Sequence, residues 1–146
     1  MNERLSQIEA LCNNNPNKIA MLANASALLN EFLDDINWVG FYLFENNQLV
    51  LGPFQGKVAC TCIPVGKGVC GTAFEQNKTL NVIDVHKFPG HIACDSRSNS
   101  EIVVPLIYND KKFGVLDIDS VSFSRFTEQD ELFLKQAASI IASHMD

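Results

Sequence analysis

The cysteines carry the most chemistry in this chain of 146 residues. There are five, Cys12, Cys60, Cys62, Cys70 and Cys94. An odd number, in a chain that reads as staying in a reducing compartment, makes a permanent disulfide framework the weaker explanation. Packing, metal binding and redox catalysis remain. The spacing speaks against zinc, because Cys60-Thr61-Cys62 has one intervening residue. An extended chain there directs both sulfurs along one face, without the turn of the Cys-x-x-Cys knuckle common in structural zinc sites. No metal is expected. Cys70 lies in Gly66-Lys67-Gly68-Val69-Cys70-Gly71, and Cys94 in Pro89-Gly90-His91-Ile92-Ala93-Cys94-Asp95. Glycine-rich surroundings expose backbone, admit a ligand and can bring distant thiols to the roughly 4.4 to 6.8 Å Cα separation of a disulfide. Redox exchange is then open to Cys70 and Cys94, with an inert buried thiol as the alternative for each.

Carboxylates form the second candidate group. In Phe113-Gly114-Val115-Leu116-Asp117-Ile118-Asp119 the alternation of a strand puts Asp117 and Asp119 on one face and Leu116 and Ile118 on the other. Two carboxylates side by side raise at least one pKa, an arrangement suited to handling a proton or binding a cation. The alternative is that both reach solvent as the strand leaves its sheet. The same parity puts Trp38, Gly40 and Tyr42 on one face of an earlier segment, as the wall of a pocket or as part of an aromatic core, with Val39, Phe41 and Leu43 opposite.

These residues need elements to position them. Leu5, Ile8 and Leu11, then Ile19, Leu22, Leu28, Leu29 and Phe32, recur at helical spacing, and Asn13-Asn14-Asn15-Pro16-Asn17 breaks the run into two helices. Residues 1–34 are therefore helical. Trp38 to Phe44 and Gln48 to Leu51 read as a hairpin turning at Asn46-Asn47. The stretch from Gly52 to Gly71 reads mostly as loop, with a short strand around Ala59 to Ile63. Thr72 to Gln76 suits a short helix and Thr79 to Ile83 a strand. Asp84 to Ser100 is a long polar loop, of the kind that is usually functional or mobile. Ile102 to Tyr108 and Phe113 to Ile118 form a second hairpin around Asn109-Asp110-Lys111-Lys112, and Pro105 calls for an edge strand or a bulge. A final helix from about Glu128 to His144 is capped by Thr127, with Leu132, Phe133, Ile140 and Ile141 on one face. The whole predicts one α+β domain over 1–146: a central antiparallel sheet and its loops in 37–146, covered by N- and C-terminal helices.

Composition narrows the partners. With a hydrophobic fraction of 47% and a net charge of −6, the chain reads as an ordinary globular protein whose surface repels nucleic acid and anionic membrane. No apolar run reaches the roughly 18 residues of a membrane span, and no signal peptide opens the chain. A cytoplasmic location follows. The terminal helices offer enough apolar surface for a homodimer.

Four segments together carry a resemblance: Gly52-Pro53-Phe54-Gln55-Gly56, Gly66-Lys67-Gly68-Val69-Cys70-Gly71-Thr72-Ala73, Phe88-Pro89-Gly90-His91-Ile92-Ala93-Cys94-Asp95 and Ser100-Glu101-Ile102-Val103-Val104-Pro105. From about Asn37 to its end the chain resembles the free methionine-(R)-sulfoxide reductases, a GAF-domain family. The resemblance implies a GAF-like fold and reduction of free methionine (R)-sulfoxide without a cofactor, with thioredoxin restoring the enzyme. Its cysteine pattern falls on Cys60, Cys70 and Cys94; Cys12 and Cys62 stand outside it. Cys94 is then the nucleophile, Cys60 the principal resolving thiol, and Cys70 an assistant or alternative disulfide partner. Glu101, Asp117 and Asp119 fall in the substrate pocket, as acid and as partners of the substrate's ammonium group. Trp38 and Tyr42 meet its methyl and thioether end. Thiol chemistry fits such residues: a thiolate attacks the sulfoxide sulfur, methionine departs, and the cysteine is left as a sulfenic acid that a second thiol converts to a disulfide. His91, Arg97 or a helix terminus would activate the attacking thiol. The competing expectation is a GAF-type module that binds a small amphipathic molecule without turning it over.

Overall fold

The computed structural model describes residues 2–92 and 96–146. The helices α1 (Glu3–Asn13) and α2 (Lys18–Phe32) each begin at an asparagine whose side chain accepts a backbone N–H of the first turn, Asn2 from Leu5 and Asn17 from Ala20. There follow β1 (Trp38–Glu45), β2 (Gln48–Gly56), β3 (Cys62–Pro64), α3 (Gly68–Gln76), β4 (Leu80–Val82), a 3-10 turn at Val85–Lys87, β5 (Ser100–Tyr108), β6 (Lys111–Ser120) and α4 (Glu128–Ser143). Thr127 and Asp130 close a reciprocal capping box at the start of α4. No helix among the described residues is long and apolar enough to cross a membrane.

All six strands pair antiparallel, in the order β3-β2-β1-β6-β5-β4. Strand alternation gives the sheet two different faces. Val39 and Phe41 of β1, Ile102, Val104 and Leu106 of β5, and Leu116 and Ile118 of β6 pack with Leu22, Leu29, Leu134 and Ile141 under α1, α2 and α4. Their neighbours Trp38, Tyr42, Val103 and Val115 point the other way, into a smaller cluster with Val69, Cys70, Ala73 and Phe74 of α3. The three-helix layer is the main core. The opposite face carries the chemistry.

The expected elements are present, with differences that have physical causes. The second hairpin turns on Asn109-Asp110 alone, both at positive φ, so β6 starts at Lys111. Such a two-residue turn matches the twist of the flanking strands better than the expected four-residue one. Pro105 is not on an edge strand, since β5 lies between β6 and β4. However, β4 reaches only Glu101 to Val103, so it stops short of Pro105, and the β5–β6 register slips just beyond, between Leu106 and Ile107. Ile19 and Leu132, expected on buried helix faces, point outward and are 73% and 60% exposed. The α4 face toward the sheet is instead built by Phe133, Leu134, Ala137, Ala138 and Ile141.

Polar ties fix how the strands enter the sheet. The Ser120 hydroxyl donates to the Asp35 carbonyl at 2.6 Å, and Arg125 donates from Nε and Nη2 to the Asp34 carbonyl at 2.9 and 2.6 Å. The connection leaving β6 is thereby fastened to the connection entering β1.

Candidate active site

One row of cross-strand neighbours organises the second face. Trp38 lies opposite Gly56 on β2 and Asp119 on β6; Asp119 lies opposite Glu101 on β5, and Glu101 opposite Val82 on β4. The next row on this face runs Phe54, Gly40, Asp117, Val103 and Leu80. Three carboxyl groups from two adjacent strands thus meet on one side of the sheet. Beside them is an aromatic wall, in which the Trp38 ring stacks on Tyr42 with centroids 5.9 Å apart and on Phe54 at 5.1 Å. Gly40 makes that wall possible: a Cβ there would lie 2.3 Å from Phe54 Cβ and 2.9 Å from Trp38 Cη2. The indole Nε1 donates to the Lys57 carbonyl at 3.1 Å, and the Tyr42 hydroxyl to the Cys60 carbonyl at 3.0 Å. The aromatic pair therefore holds the loop carrying Cys60 against β1.

Cys70 enters from above. α3 begins at Gly68, four positions before the expected start at Thr72, so Cys70 sits in a helical first turn and not in a glycine loop. Gly71 permits this, because a Cβ at that position would lie 2.4 Å from the Pro64 carbonyl oxygen. Backbone bonds from Lys67 to Pro64 and from Gly66 to Gly71 lock the turn. Cys70 is buried, and its thiol donates to Glu101 Oε2 at 3.9 Å.

Trp38, Tyr42, Cys70, Glu101, Asp117 and Asp119 line a single cavity with about 510 Å³ of empty space, part of it open to solvent. Val58, Ala59, Ile63, Val69 and Ile92 supply its apolar lining, and His91 reaches in with Nε2 3.9 Å from Glu101 Oε1. Six of the eight expected site residues therefore share one pocket. Cys60 sits next to Ala59 of the lining. It is disulfide-bonded, whereas Cys12, Cys62 and Cys70 are free thiols. Cys94 lies outside the described residues.

The electrostatics follow from burial of like charges. Desolvation, then Asp117 and Asp119, hold the Glu101 carboxyl well above the usual range, and Asp117 is raised by desolvation although Glu101 and Cys70 hydrogen-bond to it. A proton is therefore retained within the Glu101–Asp117 pair. Asp117 Oδ1 is buried and accepts no hydrogen bond. Burial, followed by Asp117 and Glu101, pushes the Cys70 thiol up, so it stays protonated. Burial also lowers His91, so its contact with Glu101 joins a neutral imidazole to a neutral carboxyl and is not an ion pair. The pocket can give up a proton from Glu101, accept a cation at Asp117 and Asp119, and hold an apolar group against Trp38.

Sequence reasoning did not reach Phe54, Val58, Val69 or Ser98. The first has a signal in hindsight: two residues before Gly56 on a strand paired with β1, Phe54 must face the same way as Trp38. Val58 and Ser98 are placed by connections whose paths leave no periodic trace, and Val69 by the first turn of α3, inside a glycine-rich run.

Comparison with known proteins places the chain in a family. The GAF domain family matches residues 17–145. The free methionine-R-sulfoxide reductase of Escherichia coli (strain K12) is 63% identical over 118 residues, 81% of this chain and 72% of that protein. The reduced form of the Staphylococcus aureus enzyme fRMsr superposes with a TM-score of 0.93 at 52% identity, covering 98% of this chain and 93% of that one. The free methionine-R-sulfoxide reductase of Neisseria meningitidis, in complex with its substrate, gives 0.93 at 46% identity over 98% and 86%. With its six-stranded antiparallel sheet, its helical layer and its carboxylate-lined pocket, the chain belongs to the free methionine-R-sulfoxide reductases, oxidoreductases of the GAF-domain family.

Proposed function

We propose that this protein reduces free L-methionine (R)-S-oxide to methionine in the cytoplasm, with Cys94 as nucleophile, Cys60 as resolving thiol and thioredoxin as reductant. The observation that carries the reading is the convergence of three carboxyl groups and the Trp38–Tyr42 stack on one cavity beside the disulfide-bonded Cys60. Asp117 and Asp119 take the substrate's ammonium group, which a methionine inside a peptide lacks, and the indole takes its methyl and thioether end. The α-carboxylate fits the first turn of α3, where Gly68, Val69 and Cys70 line the cavity and Lys67 supplies no side-chain cap.

Glu101 hydrogen-bonds the sulfoxide oxygen and protonates it as the Cys94 thiolate attacks sulfur. The oxygen passes to Cys94 as a sulfenic acid, and the substrate leaves as the thioether. The Cys60 thiol then attacks the sulfenic sulfur, releasing water and forming the Cys60–Cys94 disulfide. A thioredoxin dithiol reduces that disulfide and is itself oxidised. Cys70, kept as a thiol, serves as the slower alternative partner.

A thioredoxin-coupled assay of NADPH consumption tests the reading. Free methionine (R)-sulfoxide should give sustained flux, the (S) epimer none, and Cys94→Ser none. Cys60→Ser should convert about one equivalent of substrate quickly and then continue only at the slower rate that Cys70 supports. A protein that binds the sulfoxide without flux would be a binding module, and activity retained by Cys94→Ser would remove the nucleophile assignment.

A further inference from the structure

We propose that Cys70, Glu101 and Asp117, with His91 beside them, form a site for one borderline divalent cation of the zinc class, and that occupying it closes the pocket to substrate. The Cys70 sulfur and one oxygen from each carboxyl lie within 4.8 Å of one another, and all three residues are buried. Tetrahedral zinc with sulfur at about 2.3 Å and oxygen at about 2.0 Å has ligand-to-ligand edges of roughly 3.5 Å. The Cys70 Sγ to Glu101 Oε2 distance is already 3.9 Å, so small rotamer shifts complete the set.

A second observation is independent of that clustering. Asp117 lines the cavity, and its Oδ1 is buried and accepts no hydrogen bond, an acceptor open to a cation or a donor. His91 presents Nε2 3.9 Å from Glu101 Oε1, and burial favours the neutral imidazole that ligates metals. The sulfur donor selects against magnesium and calcium, which take oxygen ligands, and in favour of zinc or cadmium. The donors come from α3, β5, β6 and the segment before residue 93, so no sequence spacing announces them. The set differs from the Cys60-Thr61-Cys62 arrangement that argues against zinc in the sequence.

Binding displaces the Cys70 thiol proton and the proton held by Glu101 and Asp117, both of which go to solvent. Affinity therefore rises with pH. Tyr42 from β1, Asp119 from β6 and His91 are the other titratable groups facing the site, and only His91 is cationic when protonated. Metal binding rests on the donor geometry alone; its competition with substrate rests on the function proposed above.

The test titrates tag-free, oxidised protein with cadmium alone and follows the ultraviolet thiolate-to-cadmium band. One cadmium per chain is expected, with the band absent in Cys70→Ala, unchanged in Cys62→Ser, and the affinity about tenfold or more weaker in Asp117→Asn. A band that survives Cys70→Ala, one that vanishes in Cys62→Ser, or none in the parent protein would overturn the site. Competition is read in the Cys60→Ser/Cys94→Ser protein, where methionine (R)-sulfoxide should raise the apparent Kd for cadmium. Cadmium held through Cys70 but not displaced by the sulfoxide would leave the metal site standing and overturn its overlap with a substrate pocket.

Discussion

Glu101 and Asp119 stand directly opposite each other on β5 and β6, in the register that also sets Asp119 against Trp38 on β1. One turn of the ladder away, Asp117 faces Gly40, the residue over which the indole lies. Proton, cation and apolar sites are thus spaced by the sheet itself, and each can be removed separately.

The acid role of Glu101 predicts that Glu101→Gln, which keeps the shape and removes the transferable proton, lowers kcat/KM by about 10²- to 10⁴-fold. Steady-state kinetics with free methionine (R)-sulfoxide checks this. In the parent enzyme kcat/KM should fall on the alkaline side as Glu101 ionises, and an unchanged rate in the variant would assign the proton to another group.

Stability should respond to pH in the opposite sense from most carboxylates. Glu101 has a raised folded pKa, so above the unfolded value of about 4.3 the folded chain holds a proton that the unfolded chain has lost. Its contribution is present below that value and is lost as pH rises toward the folded pKa. Urea midpoints across that window should fall more steeply with pH in the parent than in Glu101→Gln. Parallel curves would mean that Glu101 ionises at its ordinary value.

Trp38 is the single tryptophan in the chain, so its emission reports on the pocket. Substrate binding should shift that emission. Gly40→Ala, which forces a Cβ into Phe54 and the indole, should cost about 1–3 kcal/mol of stability and raise KM. Chemical denaturation followed by tryptophan emission measures the first, and initial rates measure the second.

The free thiols should differ sharply in reactivity. Cys62 is exposed, whereas Cys70 is buried and held as a thiol, and burial followed by Glu9 pushes Cys12 up to about 11. In native oxidised protein a maleimide should modify Cys62 first, with Cys12 and Cys70 labelled only on unfolding; peptide mass mapping reads the order. Rapid labelling of Cys70 would mean that the pocket opens more widely than its lining suggests.

Parity carried most of what was legible in the sequence. Alternation along 38–43 placed Trp38 with Tyr42, and along 113–119 Asp117 with Asp119, each pair on one face of its own strand, because a strand permits only two directions. Asn46-Asn47 and Asn109-Asp110 located the two hairpin turns. Parity could not say that β1 and β6 are neighbours, since strand order is fixed by long-range pairing that leaves no local mark. The helical start at Gly68 was hidden for a related reason: three glycines in six residues read as loop, yet Gly71 is needed so that the helix can press against the Pro64 carbonyl. Leu132 and Ile19 show the limit of helical spacing, which marks apolar stripes wider than the face finally covered.

The two-faced sheet has a consequence for how such a protein can change. Along β1, β5 and β6 the residues that hold the three-helix core and those that meet the ligand alternate one by one. Substitutions at the ligand-facing positions can therefore accumulate without disturbing the core, and the scaffold can trade one small molecule for another. A single inserted or deleted residue within these strands would exchange the two sets at once, exposing the core and burying the charges. Within these strands, then, selection can tolerate replacement far more readily than it can tolerate a change of length.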